Sequence, residues 1–237
     1  MSKRLLKGKS LVEPLPESYI VLDLETTGLD PNIDDIIEFA ALRIVKGEIV
    51  KQFDTLVKPD YPVDEFITML TGITNDMLES APKLESVIPD IVTFFNNEDI
   101  VVGHNVSFDV NFLYEGMMEC LGVPFINNFI DTRRLSRLLF KELPDHRLKT
   151  LTEHFEIDCK GYHRALVDCF ATFGCYESIK SYITNNSINI YDCYSKKKSV
   201  RHSSKTILPT VDEFDETHPA YGKYFVFTGE LGVIRKE

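Results

Sequence analysis

The chain of 237 residues is long enough for one sizeable domain, and it is 43% hydrophobic and 27% charged, as is usual for a globular protein with a buried core. This composition excludes a fibrous or wholly disordered chain, and no apolar run approaches the roughly 20 residues of a membrane-spanning helix. The net charge of −11 argues against a protein that grips nucleic acid through a broad basic surface.

The charge is concentrated in the middle of the chain. Residues 17–185 carry a net charge of −15, whereas residues 1–16 carry +3 and residues 186–237 carry +1. We therefore interpret residues 1–16 as a flexible basic tail and residues 17–185 as an acidic folded domain.

Two features predict a cytoplasmic protein. The basic N-terminus lacks the apolar run of about 7–15 residues that a signal peptide contains. The five cysteines are odd in number and show no CxxC spacing, so we expect reduced thiols and neither a disulfide framework nor a zinc site.

The first predicted elements are three strands. The β-branched runs at 18–26, 36–45 and 49–57 follow one another, and the last two are joined across Lys46-Gly47-Glu48. Such runs with a short turn predict an antiparallel meander.

Helical spacing then alternates with short strands. Apolar residues recur at intervals of three and four over 63–70, 84–96, 107–121, 132–140, 147–155 and 164–183. Buried strands are expected at Ile100–Gly103 and Phe129–Asp131. This order favours an α/β domain with the sheet in the middle.

The C-terminal part changes character. Residues 186–218 are polar, and the stretch from 186 to about 206 is rich in Ser, Asn and Lys without periodicity, which predicts a linker. An apolar, strand-like stretch follows within 219–237, and we expect it to be the truncated start of a second domain.

The first motif is the pair Asp23 and Glu25 in VLDLETTGL. Residues two apart on a strand point to one face. Two like charges on one face of a core strand are costly unless a cation lies between them, and oxygen ligands suit Mg²⁺ or Mn²⁺. The alternative is that the strand ends near Asp23 and that both acids are solvated.

The second motif, GHNVSFDVNF, places Asp109 just after a buried strand, at the edge where ligand sites of α/β folds lie. We interpret His104 and Asn105 as hydrogen-bonding residues that shape this loop, in preference to metal ligands.

The third motif, HRALVD, contains His163 and Asp168. Five residues correspond to a net rotation of about 140° around a helix, so the two side chains converge only if His163 lies in or before the first turn. The alternative is a surface aspartate beside an unrelated loop histidine.

The fourth motif, MLTGIT at 69–74, has Gly72 among apolar and hydroxyl residues. Such a loop can receive a base or a sugar, or it can be an ordinary turn between helices.

Together these motifs resemble the DnaQ-like exonucleases of the DEDD superfamily, in the subgroup whose fourth carboxylate is preceded by a histidine. Similar patterns occur in the proofreading epsilon subunit of bacterial DNA polymerase III and in the exonuclease segment of the Gram-positive replicative polymerase. The resemblance runs from about Ser18 to Ile183. It implies a ribonuclease H-like fold: a mixed five-stranded sheet, its first three strands antiparallel, flanked by helices.

The resemblance also implies an activity and roles for single residues. Two Mg²⁺ or Mn²⁺ ions would be held by Asp23, Glu25, Asp109 and Asp168, with His163 as general base and Glu25 also catalytic. The residues implied to contact substrate are Thr26, Thr27, Leu29, Leu70, Thr71, Gly72, Ile73, His104, Asn105 and Phe108. The expected reaction releases nucleoside 5′-monophosphates from a single-stranded or frayed 3′ end of DNA, in proofreading or repair, with a DNA polymerase subunit as a possible partner and no membrane.

Other functions stay open at this point. One is an RNA-trimming exonuclease of the same superfamily, since 2′-hydroxyl discrimination depends on pocket shape. Another is a non-catalytic module that binds nucleic acid or a polymerase, and a third is a metal-dependent phosphatase or sugar-nucleotide hydrolase. Arg133, Arg134 and Arg137 either contact a strand or form a solvated helix face.

A second resemblance concerns the last residues. GKYFVFTGELGVIRKE at 222–237 is similar to the opening strand of a BRCT domain, which would make 186–218 an interdomain tether. For the acidic domain, two divalent cations would change the net charge of 17–185 from −15 to −11 and would attract phosphate locally. The acidic domain is then expected to contact only the end of a nucleic-acid strand, at the metal site.

Overall fold

The centre of the fold is a six-stranded mixed sheet, seen in a computed structural model that describes residues 8–12, 15–159, 161 and 163–193. The strands are β1 (Ser10–Leu11), β2 (Ser18–Thr26), β3 (Ile36–Val45), β4 (Glu48–Leu56), β5 (Val101–Gly103) and β6 (Phe129–Asp131). They lie in the order β1-β6-β5-β2-β3-β4. Strand β2 is thus central, between a parallel half and an antiparallel half.

The antiparallel half is the predicted meander. Strand β2 pairs with β3 and β3 with β4, both antiparallel. Lys46 and Gly47 join β3 to β4 with φ angles of 53° and 81°, since a tight hairpin whose twist matches its strands needs two positive φ angles. The predicted α/β class and the antiparallel first three strands of the motif-bearing domain are confirmed.

The sheet has one more strand than the five expected. Strand β1 pairs in parallel with β6, with Ser10 opposite Phe129 and Leu11 opposite Ile130. Val12 beside it is buried in the core. These residues lie within the predicted tail, which contributes to the sheet. Two paired residues are too few to produce a hydrophobic pattern in the sequence.

Helices cover both faces of the sheet. They are α1 (Glu65–Thr71), α2 (Asn75–Glu79), α3 (Leu84–Phe94), α4 (Ser107–Leu121), α5 (Thr132–Leu139), α6 (Leu148–His154) and α7 (Ala165–Asn185). On β2, Ile20, Leu22 and Leu24 join the core formed with α3 and α4. Tyr19 and Val21 join the core formed with α5, α6 and α7. The alternation along β2 therefore assigns each residue to one helical layer.

The packed body extends slightly past the expected domain end at 185. Ile188 packs against the core on the α7 side, and Ile190 is fully buried within it. The first residues of the predicted linker 186–218 therefore belong to the fold. The rest of that linker from 194, and the BRCT-like stretch 219–237, lie outside the described residues, as do residues 1–7.

No helix within the described residues has the length and apolar character needed to cross a bilayer.

A close approach at Gly103 generates a first prediction. A Cβ at this position would lie 2.5 Å from Val106 Cγ2 and 3.0 Å from the carbonyl oxygen of Leu22. Overpacking of this kind costs about 1–3 kcal/mol. We expect Gly103→Ala to lower the midpoint of thermal unfolding, followed by circular dichroism.

Gly116→Ala is the matched control, because its new Cβ would meet only the end of the flexible Leu84 side chain, at 3.0 Å. Equal unfolding midpoints for the two variants would show that the approach of β5 to β2 is not tight.

Candidate active site

The first two acidic side chains of the site come from the end of β2. Asp23 and Glu25 are two residues apart, in the alternation that places Tyr19 and Val21 in the α7-side core. Glu25 is only 9% exposed and lies directly opposite Glu38 of β3. A register shift follows between Glu25 and Thr26. The strand thus continues past Asp23, unlike the alternative in which both acids are solvated.

The third carboxylate belongs to the first turn of α4. Asp109 is 4% exposed, and its Oδ1 accepts a hydrogen bond of 3.0 Å from the backbone N–H of Leu24. This bond joins the start of α4 to β2 between Asp23 and Glu25. Asp109 is therefore held beside the first two carboxylates by the main chain of the strand that carries them.

The fourth carboxylate and the histidine lie at the start of α7. Asp168 is in the first turn, and the backbone N–H of His163 donates to its Oδ2 over 3.1 Å. His163 lies before the helix with a φ of 65°, which fulfils the geometric condition for its convergence with Asp168. Asp168 Oδ1 is buried without a hydrogen-bond partner among the described residues.

These residues meet closely enough to share a cation. Ligand atoms of Glu25, His163 and Asp168 all lie within 4.8 Å of one another. Carboxylate oxygens are the ligands that Mg²⁺ and Mn²⁺ prefer. The unpartnered buried oxygen of Asp168 is what such a cation would satisfy, so the residues present fit a hard divalent metal.

A cleft of about 560 Å³ opens at these residues, and its lining is two-sided in charge. Asp23, Asp168 and His163 are among the lining residues, together with Leu148 and His104. The cleft is also lined by Arg133, Arg147 and Lys149. Although the chain has a net negative charge, these three cations lie together at the cleft. There they can attract a negatively charged ligand.

The loop after β5 is shaped by hydrogen bonds to the start of α5. His104 Nδ1 lies 3.0 Å from Thr132 Oγ1. The backbone N–H of Asn105 donates to Asp131 Oδ1 over 2.9 Å, and Asn105 has a φ of 66°. Asn105 Oδ1 also accepts from Arg133 Nη1 over 3.3 Å. His104 and Asn105 are thus both engaged in contacts between this loop and the start of α5.

The residues after Glu25 form a turn with one prominent apolar side chain. Thr26 Oγ1 donates to the carbonyl oxygen of Gly28 over 2.7 Å. Thr27 Oγ1 accepts from the backbone N–H of Asp35 over 2.9 Å. Leu29 is 84% exposed. The two threonines therefore hold the turn, and Leu29 projects from it.

At the end of α1, some side chains of the loop are buried and others are exposed. Thr71 is buried and donates to the carbonyl oxygen of Ile67 over 2.9 Å. Gly72 ends the helix with a φ of 71°. Ile73 is 0% exposed in a small core with Ile37 and Leu78. Its side chain anchors the loop, whereas Met69 and Leu70, at 74% and 42% exposure, face solvent.

Phe108 is partly buried against the core of α3 and α4, and its ring centroid lies 4.8 Å from that of Phe112. Most of its side chain is thus engaged in packing.

Sequence reasoning missed four charged residues at this site. Arg147 and Lys149 line the cleft, and Glu38 forms an ion pair with Arg164 at 2.7 Å. Glu38 interrupts the apolar run IIEFAAL, and Arg164 lies inside the HRALVD motif. The sequence therefore showed an acid within a core strand and, separately, a cation next to His163. Nothing in the sequence signalled that they meet, because 126 positions separate them.

Comparison with known proteins identifies the family to which the chain belongs. The family model RNase_T, described as exonuclease, matches residues 20–176, which contain every motif of the site. The chain belongs to this exonuclease family.

Relatives of the exonuclease domain include DNA polymerase III proteins. A DNA polymerase III subunit epsilon from Aquifex aeolicus is 39% identical over 158 residues, covering 67% of this chain and 78% of that protein. A PolC-type DNA polymerase III from Bacillus subtilis is 43% identical over 157 residues, covering 66% of this chain but only 11% of that protein. The exonuclease domain therefore corresponds to a small part of the PolC-type relatives.

Among solved structures, exonuclease X in complex with 5′ overhanging duplex DNA is similar, with a TM-score of 0.57 at 25% identity. The match covers 75% of this chain and 98% of that one. The fold of the exonuclease domain is thus the ribonuclease H-like one.

Burial raises the pKa values of the exonuclease carboxylates. Burial comes first for Glu25, followed by repulsion from Asp168, Glu38 and Asp109, and together they raise its pKa to about 8. Burial also raises the pKa of Asp109 to about 8. The pKa of Asp23 rises for the same reasons, burial first and Asp109 next. The cluster by itself resists full ionisation, which a divalent cation would reverse.

The loop histidine shows the opposite shift. Burial, and after it the charge of the nearby Arg133, lower the pKa of His104 to about 4. His104 is therefore neutral at pH 7.

These shifts predict a pH-dependent stability. The folded state holds the proton of Asp109 (pKa about 8, against an ordinary 3.8) more tightly than the unfolded chain does. The resulting stabilisation is complete below about pH 4 and is lost as the pH rises through about 8. In chelator, we expect Asp109→Asn to unfold several degrees higher than the wild type at about pH 9, with a much smaller difference at about pH 5.

The measurement is thermal unfolding at both pH values in the presence of chelator. Asp90→Asn, at an exposed position on α3, is the control and should follow the wild type. A difference between Asp109→Asn and wild type that does not change with pH would refute the shift.

Proposed function

We propose that the chain hydrolyses terminal phosphodiester bonds at the 3′ end of DNA and releases nucleoside 5′-monophosphates. One observation carries this proposal: Asp23 of β2 and Asp168 of α7 line a cleft together with His163 and three cationic side chains. Asp109 of α4 is bonded to the backbone of Leu24 beside them. Acidic residues can hold metal ions for the reaction, while cations attract the phosphates of the substrate.

We propose Asp23, Glu25, Asp109 and Asp168 as the ligands of two Mg²⁺ or Mn²⁺ ions. The unpartnered Oδ1 of Asp168 and the grouping of Glu25, His163 and Asp168 within 4.8 Å support this set. When bound, such ions stabilise negative charge on the attacking and leaving oxygens of a phosphoryl displacement.

The base in this reaction would be His163. Its imidazole is exposed, and its backbone N–H is fixed by Asp168. A neutral imidazole can accept a proton from the attacking water near neutral pH. Glu25, which is close to His163, would help to orient that water as well as bind metal.

The lining of the cleft favours a strand over a small phosphoester. Arg133, Arg147 and Lys149 offer three cations, more than one terminal phosphate needs, and successive phosphates of a strand would use them. The buried Nε of Arg133 has no hydrogen-bond partner among the described residues. Outside this lining, the exposed Leu29 and Leu70 would offer apolar surface for the terminal base.

The proposal of DNA as substrate, and of a polymerase partner, draws on the relatives. These are named as DNA polymerase III proteins, and the exonuclease X structure contains duplex DNA with a 5′ overhang. We further propose that the exonuclease domain expected at 17–185 also includes β1 and Val12 and extends to Ile190. A tether would take up the rest of 186–218, and a BRCT-like domain would start within 219–237. We also propose a cytoplasmic location, since all five cysteines lie within the described residues and none of these forms a disulfide.

The catalytic assignment makes a direct prediction. Asp23→Ala should abolish Mg²⁺- or Mn²⁺-dependent release of nucleotides from 5′-labelled single-stranded DNA. His163→Ala should lower kcat by about 10²–10⁴-fold, the usual contribution of a general base, with little change in Mn²⁺ affinity measured by calorimetry.

A matched RNA strand tests the substrate, and we expect it to be degraded more slowly than DNA. Full activity of Asp23→Ala would eliminate the metal-site assignment. A large loss of Mn²⁺ affinity in His163→Ala would make His163 a ligand instead of a base.

The cationic lining makes a second prediction. Arg147→Gln and Lys149→Gln should each raise KM for single-stranded DNA and leave kcat nearly unchanged, because they remove contacts to phosphates away from the cleaved bond. Each lost contact should reduce the slope of log affinity against log salt by about 0.7.

Binding is measured with Ca²⁺ in place of Mg²⁺, in a titration over salt concentration. Arg137→Gln is the matched control, since Arg137 lies on α5, is exposed and does not line the cleft. A salt slope unchanged in both cleft variants would place the strand elsewhere.

A further inference from the structure

A fifth buried acid lies beside the four carboxylates and has no role in the proposed reaction. Glu38 is 4% exposed and stands directly across from Glu25 in the pairing of β2 with β3. Like charges opposite one another in a sheet destabilise it. A glutamate at this position therefore requires a compensating partner.

That partner is the segment that begins α7. Arg164 Nε donates to Glu38 Oε1 at 3.1 Å and to Oε2 at 3.2 Å, and Arg164 Nη2 donates to Oε1 at 2.7 Å. The backbone N–H of Ala165 donates to Oε2 at 2.8 Å. Both carboxylate oxygens are thus engaged by two consecutive residues, in the forked geometry that gives arginine pairs their directional strength.

The same two residues are adjacent to the proposed base. Arg164 follows His163 directly, and its carbonyl oxygen accepts from the backbone N–H of Asp168 over 3.0 Å. His163 has the left-handed φ of 65°, a conformation that persists only where surrounding contacts enforce it. Contacts at Arg164 and Ala165 fix the chain immediately after His163, while Asp168 accepts its N–H.

We propose that the Glu38–Arg164 pair is a positioning device, which fixes the backbone of His163 relative to Asp168 and keeps Glu38 out of the metal-ligand set. Arg164 offsets the charge of Glu38, so this carboxylate adds no uncompensated repulsion to the cluster. This inference rests on the proposed function for its kinetic consequences, but not for its structural ones.

The structural consequence is tested on the metal-free protein by amide hydrogen exchange of the peptide that spans residues 163–168. Glu38→Gln and the milder Arg164→Lys should both speed exchange there, because each removes part of the fork. Arg43→Lys is the matched control: Arg43 is also on β3 and forms a two-armed pair with Asp99, at 3.3 and 2.9 Å. Exchange that is equal in the wild type and in Arg164→Lys would overturn the inference.

The kinetic consequence is tested by a double-mutant cycle on kcat with single-stranded DNA. Glu38→Gln should lower kcat by about 10–100-fold, the scale of a small misplacement of a reacting group, with Mn²⁺ affinity within about twofold of wild type. In a His163→Ala background the same substitution should change kcat by less than about twofold, because the base that it positions is absent.

The outcomes separate the inference from the proposed function. Losses that multiply in the cycle would show that Glu38 does not act through His163. A large fall in Mn²⁺ affinity would make Glu38 a ligand. If the wild type degrades no DNA at all, the proposed function fails, and hydrogen exchange still decides whether the pair positions His163.

Discussion

The structure depends on how the fold tolerates several carboxylates at one buried place. Glu25 and Asp109, with Asp23 and Asp168 beside them, would repel one another strongly if they ionised without compensation. Backbone N–H groups, held in place by secondary structure, donate hydrogen bonds to two of these carboxylates. The main-chain N–H of Leu24 bonds Asp109, and that of His163 bonds Asp168. Each donor is part of a backbone that cannot move without disturbing a strand or a helix start.

This constraint explains why the site lies where it does. Strand β2 is central in the sheet and packed by helices on both faces, so its end is a rigid support for charged groups. The two other acidic elements approach as first turns of helices, α4 and α7. Acidic side chains are favoured at helix N-termini, where the peptide dipoles present positive ends. Rigid strand and helix ends hold a site more accurately than loops do.

The sequence predicted a strand or helix correctly where the residue pattern of that one element was sufficient to define it. The runs that became β2 and β3 and the helix Ser107–Leu121 were found at their bounds because their patterns are long. The short strand Phe129–Asp131 was also found at its bounds. Strand β1, with two residues, and helix α2, with five, are too short to show a period. Spacing alone also left open whether Asp23 and Glu25 were solvated. Their predicted roles came from the family resemblance.

What the sequence did not reveal depends on tertiary register. The pairing of Glu38 with Arg164 follows from the alignment of β3 with the start of α7. The grouping of Arg147 and Lys149 with Arg133 follows from where α5 and α6 pack. Glu38 stands out in its apolar run, but in neither case does the sequence around a residue indicate which distant residue it meets.

The exposure of His163 has a consequence for the complete catalytic cycle. The carboxylates around it are buried or half-buried, but its imidazole faces solvent. In the proposed reaction, a proton taken up from water can pass to the bulk once the product has left the cleft, without a relay of internal groups. Regenerating the base therefore requires neither an opening of the protein nor protonation of a neighbouring carboxylate. The imidazole that exchanges protons is thus at the surface of the site, and the carboxylates that must stay fixed are inside.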